Sequence, residues 1–156
     1  MAKTARGSED PLNDLVLSIF WLNGFFLDAA DRLTAGSGLT TARWQVLGAV
    51  LHEPLTVAAI ARHMGLARQS VQRTADLLVE EGLCVYVPNP AHRRAKLLIS
   101  TDQGLDSVRR LGPGVSAWSK RVLESVGDDV IDAATVSVKE LTFALARDEA
   151  QLLGDD

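Results

Sequence analysis

Apolar residues are spaced at helical intervals through most of this chain, with one short interval of strand-like spacing in the middle. The first run, residues 11 to 33, is apolar almost all round. Val16, Ile19, Phe20, Phe26 and Leu27 fall on one side of a helix, and Leu15, Leu22 and Phe25 on another. Asp10 ahead of Pro11 predicts an N-cap and a first-turn proline, and "TAGSG" predicts the stop. Such a helix must be covered on more than one side, and in so small a protein the second cover is expected to be another copy of the chain.

A second helix is expected in "LTTARWQVLGAVLHE", capped by Thr40 and burying Trp44, Leu47, Val50 and Leu51. "TVAAIARHMG" predicts a short third helix capped by Thr56. "LARQSVQRTADLLVEEG" predicts a fourth, with Val71, Ala75 and Leu78 facing inward and Gly82 closing its end. "LCVYV" and "KLLIS" then read as two strands joined by "PNPAHRRA". Ser100 with Gln103 has the spacing of a capping box for a further helix, which "GPG" at 112–114 should break near Leu111. Helices around 115–126 and 129–152 follow, the last capped at Asp128.

The middle of the chain holds the chemistry. Ala61, Gly65 and Val71 have the spacing of a helix-turn-helix: a small residue where helices meet, a left-handed turn, and a plug from the second helix. With Val71, Ala75 and Leu78 inward, Arg68, Gln69, Gln72 and Arg73 project outward from the first turns of that second helix, with Ser70 at the margin. Arginine can grip guanine through two hydrogen bonds, glutamine adenine, and either can hold phosphate. The plain alternative is a solvated helix face. What tips the balance is the neighbouring hairpin tip, "NPAHRRAK", where His92, Arg93, Arg94 and Lys96 sit next to stiffening prolines and suit a minor groove.

Charge sharpens this picture. The chain carries −4 overall, which argues against indiscriminate coating of nucleic acid. Residues 56–100 nevertheless hold six basic groups against three acids, a net +3, which leaves −7 for the remainder. Composition, at 47% hydrophobic and 23% charged, suits a globular protein. With Cys84 as the only cysteine, no intrachain disulfide can form, and a cytoplasmic setting is expected. The run "LVLSIFWLNGFFL" is shorter than the roughly 20 apolar residues that span a bilayer, so no membrane segment is expected. Lys3 and Arg6 are followed by Glu9, Asp10 and Asp14 with no cleavage signature, which argues against a signal peptide.

At this point the residues resemble a known family. "LARQSVQRTADLLVEEGLCVYVPNPAHRRAKLLISTDQG" is similar to the winged helix-turn-helix core of MarR-type transcriptional regulators, and "GLTTARWQVLGAVL" to the helix that precedes it. The resemblance implies a mainly α fold with a small two-stranded β-wing. It implies a DNA-binding domain at 39–104 and a helical dimerisation region formed by 1–38 and 105–156. By function it implies a homodimer that binds a palindromic operator, commonly a repressor released by a small ligand. Arg94 falls at the wing arginine that enters the minor groove, and Arg68 to Arg73 at the major-groove readers. Two positions depart from the pattern. Asn89 and His92 replace the wing's aspartates, and Ala67 replaces the usual Ser/Thr cap, a loss of about 1 kcal/mol.

Other chemistry is weakly signalled. Cys84 starts a core strand, unlike the N-terminal cysteine of peroxide-sensing relatives, and reads as inert. His52, His63 and His92 lack metal-ligand spacing, and no phosphate loop, nucleophile elbow or carboxylate pair suggests an enzyme or a cofactor. A small aromatic or lipophilic ligand would be expected near Trp21, Phe25, Trp44 and His52, aromatics that equally suit a core. The competing function is a winged-helix module turned to protein binding, consistent with the altered wing and the net acidity.

Overall fold

The computed structural model describes residues 10–152, with side chains through residue 148. Lys3, Arg6 and Glu9, on which the signal-peptide argument turned, lie outside the described residues. Among the described residues, seven helices and three short strands follow in the order α1 (Pro11–Thr34), α2 (Thr41–Ala49), β1 (Leu55–Thr56), α3 (Val57–Met64), α4 (Arg68–Glu80), β2 (Cys84–Val87), β3 (Leu97–Ser100), α5 (Asp102–Arg109), α6 (Gly112–Val126) and α7 (Asp128–Leu152). The chain divides into two compact units after Gly112.

Local signals set most of these boundaries. Asp10 accepts from the Leu12 amide, Thr40 from Arg43 and Thr56 from Ala59, each capping the helix that follows. Gly65 and Gly82 take left-handed backbone (φ 61° and 74°) at the ends of α3 and α4. In both, the next residue's amide returns to a carbonyl five residues earlier, Leu66 to Ala61 (2.9 Å) and Leu83 to Leu78 (2.8 Å). Glycine is favoured here because a Cβ would strain that conformation.

The core of the first unit is Val46, Leu47, Ile60, Val71, Leu78, Cys84 and Leu98, all essentially without solvent exposure. α4 packs on α2, α3 and β2, so the helix-turn-helix is built around its inner stripe. Arg43 of α2 also pairs with Glu81 at the end of α4 (2.6 Å). In α2 the buried residues are Val46 and Leu47, followed by the buried Val50 at its C-cap, whereas Trp44 and Leu51 are only half-buried; the helix ends at Ala49, so the sequence pattern ran one turn too far.

The sheet has a third strand beyond the expected hairpin. β1 pairs antiparallel with β3 (Leu55 opposite Leu98), and β3 with β2 (Tyr86 opposite Leu98), giving the order β1-β3-β2. Two residues are too few to show alternation, which is why β1 left no sequence signal. The cap of α5 also differs from expectation. Thr101 accepts from the Gly104 amide (3.1 Å) and donates to the Gly82 carbonyl (2.7 Å), while Ser100 is the last residue of β3. At the start of α7, Asp128 lies inside the helix and Gly127 precedes it.

α1 leaves much of its apolar surface open: Trp21 is 74% exposed, Phe25 70% and Phe20 65%. Only Ala29 and Thr34, near its C-terminal end, are buried, and Asp31 there accepts a hydrogen bond from Thr41 of α2. At 24 residues the complete helix is long and apolar enough to cross a membrane by length and composition, longer than the uninterrupted run suggested. The second unit contains α6 and α7, with Val130, Val136, Val138, Phe143 and Leu145 exposed along α7.

Candidate nucleic-acid interface

Successive side chains on a helix advance by about 100°, so the buried trio Val71, Ala75 and Leu78 defines the inner side of α4. Gln69 and Arg73 then point directly away from the core. Arg68 and Gln72 lean to one flank and Ser70 to the other; all five are exposed. Ala67 makes no side-chain cap, so the first backbone donors of α4 have no side-chain acceptor from that residue.

The flank chosen by Arg68 and Gln72 faces the wing. Together with Tyr86, Arg94 and Lys96 they line a cleft of about 300 Å³, which Thr56, Val57 and Ala58 also border. Arg93 lies on a different face of the hairpin, beside Val87, Pro88 and Asn89, and Lys96 borders both. His92 is exposed at the loop tip. The loop is shaped by the residue that replaces an aspartate: Asn89 accepts from the Ala91 amide through Oδ1 (2.9 Å), and its carbonyl accepts from His92 (3.3 Å).

A feature absent from the sequence reading joins the helix to the wing. Gln72 donates through Nε2 to Asp76 Oδ1 (2.8 Å) and to the Tyr86 hydroxyl (2.9 Å), and that hydroxyl donates to the same Asp76 oxygen (2.8 Å). The i,i+4 spacing of Gln72 and Asp76 was a legible half of this ring. The other half required knowing that β2 turns its Cys84–Tyr86 face toward α4. Burial pushes the Tyr86 phenol up to about 12, and the bond to Asp76 adds to the rise, so the hydroxyl keeps its proton. The Lys96 ammonium lies 6.0 Å from the Tyr86 ring centre.

The cations of this surface have no acidic partners. Among the described residues, Arg68, Arg73, Arg93, Arg94 and Lys96 form no ion pair, whereas Arg43, Arg109 and Lys120 do. Unpaired positive charge collected on one helix and one hairpin of an acidic chain creates a local potential for a polyanion.

The expected ligand residues separate into two groups. Trp21 and Phe25 share a shallow groove on α1 with Phe20, Gly24 and Asp28, while Trp44 and His52 lie elsewhere in the fold. Cys84 is fully buried and its thiol is pushed up to about 11 by desolvation. Among the described residues, no three His, Cys, Asp or Glu side chains converge as a metal site would require.

A model of the MarR family matches residues 37–95. The uncharacterized protein Rv2011c of Mycobacterium tuberculosis is 33% identical over 136 residues, 87% of this chain and 95% of that protein. CouR from Rhodococcus jostii RHA1, in a crystal structure bound to p-coumaroyl-CoA, is similar with a TM-score of 0.71 at 25% identity, covering 87% of this chain and 96% of CouR. The repressor CouR bound to a 23-mer DNA duplex is similar with a TM-score of 0.69 at 24% identity, covering 88% and 99%.

Proposed function

The chain belongs to the MarR family of DNA-binding transcription regulators, and from that premise we propose that it acts as a homodimer on a palindromic operator, as a repressor released by a small ligand. The observation that carries the DNA-binding role is the cleft in which Arg68 and Gln72 of α4 face Arg94 and Lys96 of the wing. In this reading the N-terminal turns of α4 lie in a major groove, Arg73 and Gln69 meet base edges, and Arg94 reaches an adjacent minor groove. Arg68, Arg93 and Lys96 hold phosphates, aided by the uncapped backbone donors at the start of α4. No step of this role is enzymatic, and none calls for a cofactor or metal. The expected setting is the cytoplasm.

Residues 39–104 form the DNA-binding domain in this proposal, and 1–38 with 105–156 form the dimerisation region. The row of exposed apolar side chains on α1 favours burial against a second copy. Two copies would then present two α4 helices to half-sites about 34 Å apart. CouR binds both DNA and p-coumaroyl-CoA, and the aromatic groove at Trp21 and Phe25 suits a comparable aromatic or lipophilic ligand. Trp44 and His52 would contribute only if binding rearranged the helices that carry them. Such a ligand would act by favouring a half-site separation that no longer matches one turn of DNA.

Selection of bound fragments from genomic DNA tests the role, with affinity for the recovered operator measured between 50 and 200 mM salt. A palindrome and a loss on the order of 10³-fold, as six phosphate contacts would give, are expected. A chain that retains no duplex at the low salt has turned its winged helix to another partner, such as protein.

A further inference from the structure

The ring formed by Gln72, Asp76 and Tyr86 constrains what α4 can recognise. A side-chain amide has a donating and an accepting end, and its chemistry here fixes which end faces the ring. Asp76 Oδ1 can only accept, so it calls for Nε2; turning Oε1 toward it would set two acceptors against each other. Because Tyr86 stays protonated and donates to Asp76, its oxygen is left to accept from Gln72. The three edges, 2.8, 2.9 and 2.8 Å, make a nearly equilateral triangle, so both acceptors lie on the same side of Nε2. They subtend about 60° against an opening of about 120° between the two N–H bonds, so both N–H groups can be used at once with each bent by about 30°, within the tolerance of a hydrogen bond. The donating end is thereby occupied. Among the described residues nothing donates to Oε1, which is the unengaged end of an exposed side chain on the wing flank of α4.

We propose that Gln72 reads DNA through Oε1 alone and therefore selects a base that presents an amino group on its major-groove edge, adenine or cytosine, at one position of each half-site. This rests on the DNA-binding role proposed above. Glutamine usually recognises adenine with both ends, accepting from N6 and donating to N7, which excludes cytosine. A glutamine limited to its oxygen accepts equally from adenine N6 and cytosine N4. Guanine O6 and thymine O4 would meet it as a second acceptor and be rejected. The operator should therefore carry a position that is degenerate between A and C, with Asp76 and Tyr86 as the positioning residues that impose the degeneracy.

The test is selection by the full chain from duplexes with a randomised core, repeated with three variants. Gln72→Ala locates the position, since preference should flatten there and nowhere else. In the wild type that position should take A or C over G or T by on the order of tenfold. The double variant Asp76→Ala/Tyr86→Phe frees Nε2 and should shift the same position to A over C by a similar factor. Tyr86→Phe alone removes one of the two acceptors of Nε2 and should move the same position toward A, which keeps the test decisive if the double variant misfolds. The proposal is overturned if the wild type already separates A from C where Gln72→Ala flattens the profile. It is also overturned if the double variant, or Tyr86→Phe where the double variant misfolds, leaves that profile unchanged, or if Gln72→Ala alters no position of an enriched motif. Failure of the wild type to retain any duplex at low salt would overturn the DNA-binding role as well, and is read directly from the retained fraction.

Discussion

A Cβ built on Gly104 would lie 2.1 Å from the carbonyl oxygen of Leu83, so the first turn of α5 passes directly over the chain entering β2. The same Cβ would be 3.2 Å from Leu47 in the core. Backbone cannot yield there without moving the wing, because Leu83 is tied to Leu78 of α4 and its carbonyl accepts from Thr101. Gly104→Ala should therefore destabilise the fold by about 3 kcal/mol, read as a lowered midpoint in urea unfolding. Gly48→Ala, on α2 with no atom within 4 Å of the added Cβ, should gain about 0.5–1 kcal/mol.

Thr101 holds two bonds that its neighbour does not. Replacing it with Ala removes the cap of α5 and leaves the Gly82 carbonyl without that donor. A loss of about 1–2 kcal/mol is expected for Thr101→Ala, and within about 0.5 kcal/mol for Ser100→Ala. Equal losses from the two would return the cap to Ser100.

Cys84 gives the fold a pH dependence on the alkaline side. Its thiol titrates near 9.0 in the unfolded chain and near 11 when buried. Below pH 9 both states hold the proton and this group contributes no slope. Between pH 9 and 11 the unfolded chain loses the proton while the folded one keeps it, so stability falls as pH rises. Tyr86 extends the decline toward pH 12 for the same reason. Urea midpoints across this range check the sign. At pH 8 the thiol should resist alkylation until the chain unfolds.

Arg73 and Arg94 should fail in different ways. Arg73 points straight out from α4, so Arg73→Ala should relax base preference by on the order of tenfold at the positions it meets. Arg94→Ala should weaken binding to every duplex and reduce the salt slope by about one. Titrations of matched and mismatched operators at several salt concentrations distinguish the two. Unchanged affinities in both variants would remove these residues from the interface.

Phe20 is 65% exposed on α1, where a second copy is proposed to sit. Phe20→Asp should shift sedimentation from dimer to monomer and cost on the order of 10²-fold in affinity for a palindrome, because the second half-site is no longer tethered. A variant that stays dimeric places the pairing surface elsewhere.

How legible all this was depended on the distance over which each feature is decided. Asp10, Thr40 and Thr56 cap helices through atoms two or three residues away, and Gly65 and Gly82 close them within one turn. Val71, Ala75 and Leu78 follow the period of the helix itself. Such signals survive in sequence because the interacting atoms are neighbours in the chain. The outward residues of α4 were legible for the same reason, once the inner stripe was assigned.

The rest belongs to the folded chain. β1 exists because β3 offers an edge to Leu55 and Thr56, and two residues have no periodicity of their own. Thr101 caps α5 in place of Ser100 because the sheet claims Ser100 as its last residue. Arg68 and Arg94 share a cleft, and Tyr86 closes a ring on α4, only after the hairpin folds back beside that helix. Sequence alone determined that the helices form and which face of α4 turns inward, since spacing along the backbone sets both. Tertiary structure decided which of the outward groups meet, because atoms remote in the chain become neighbours only through packing.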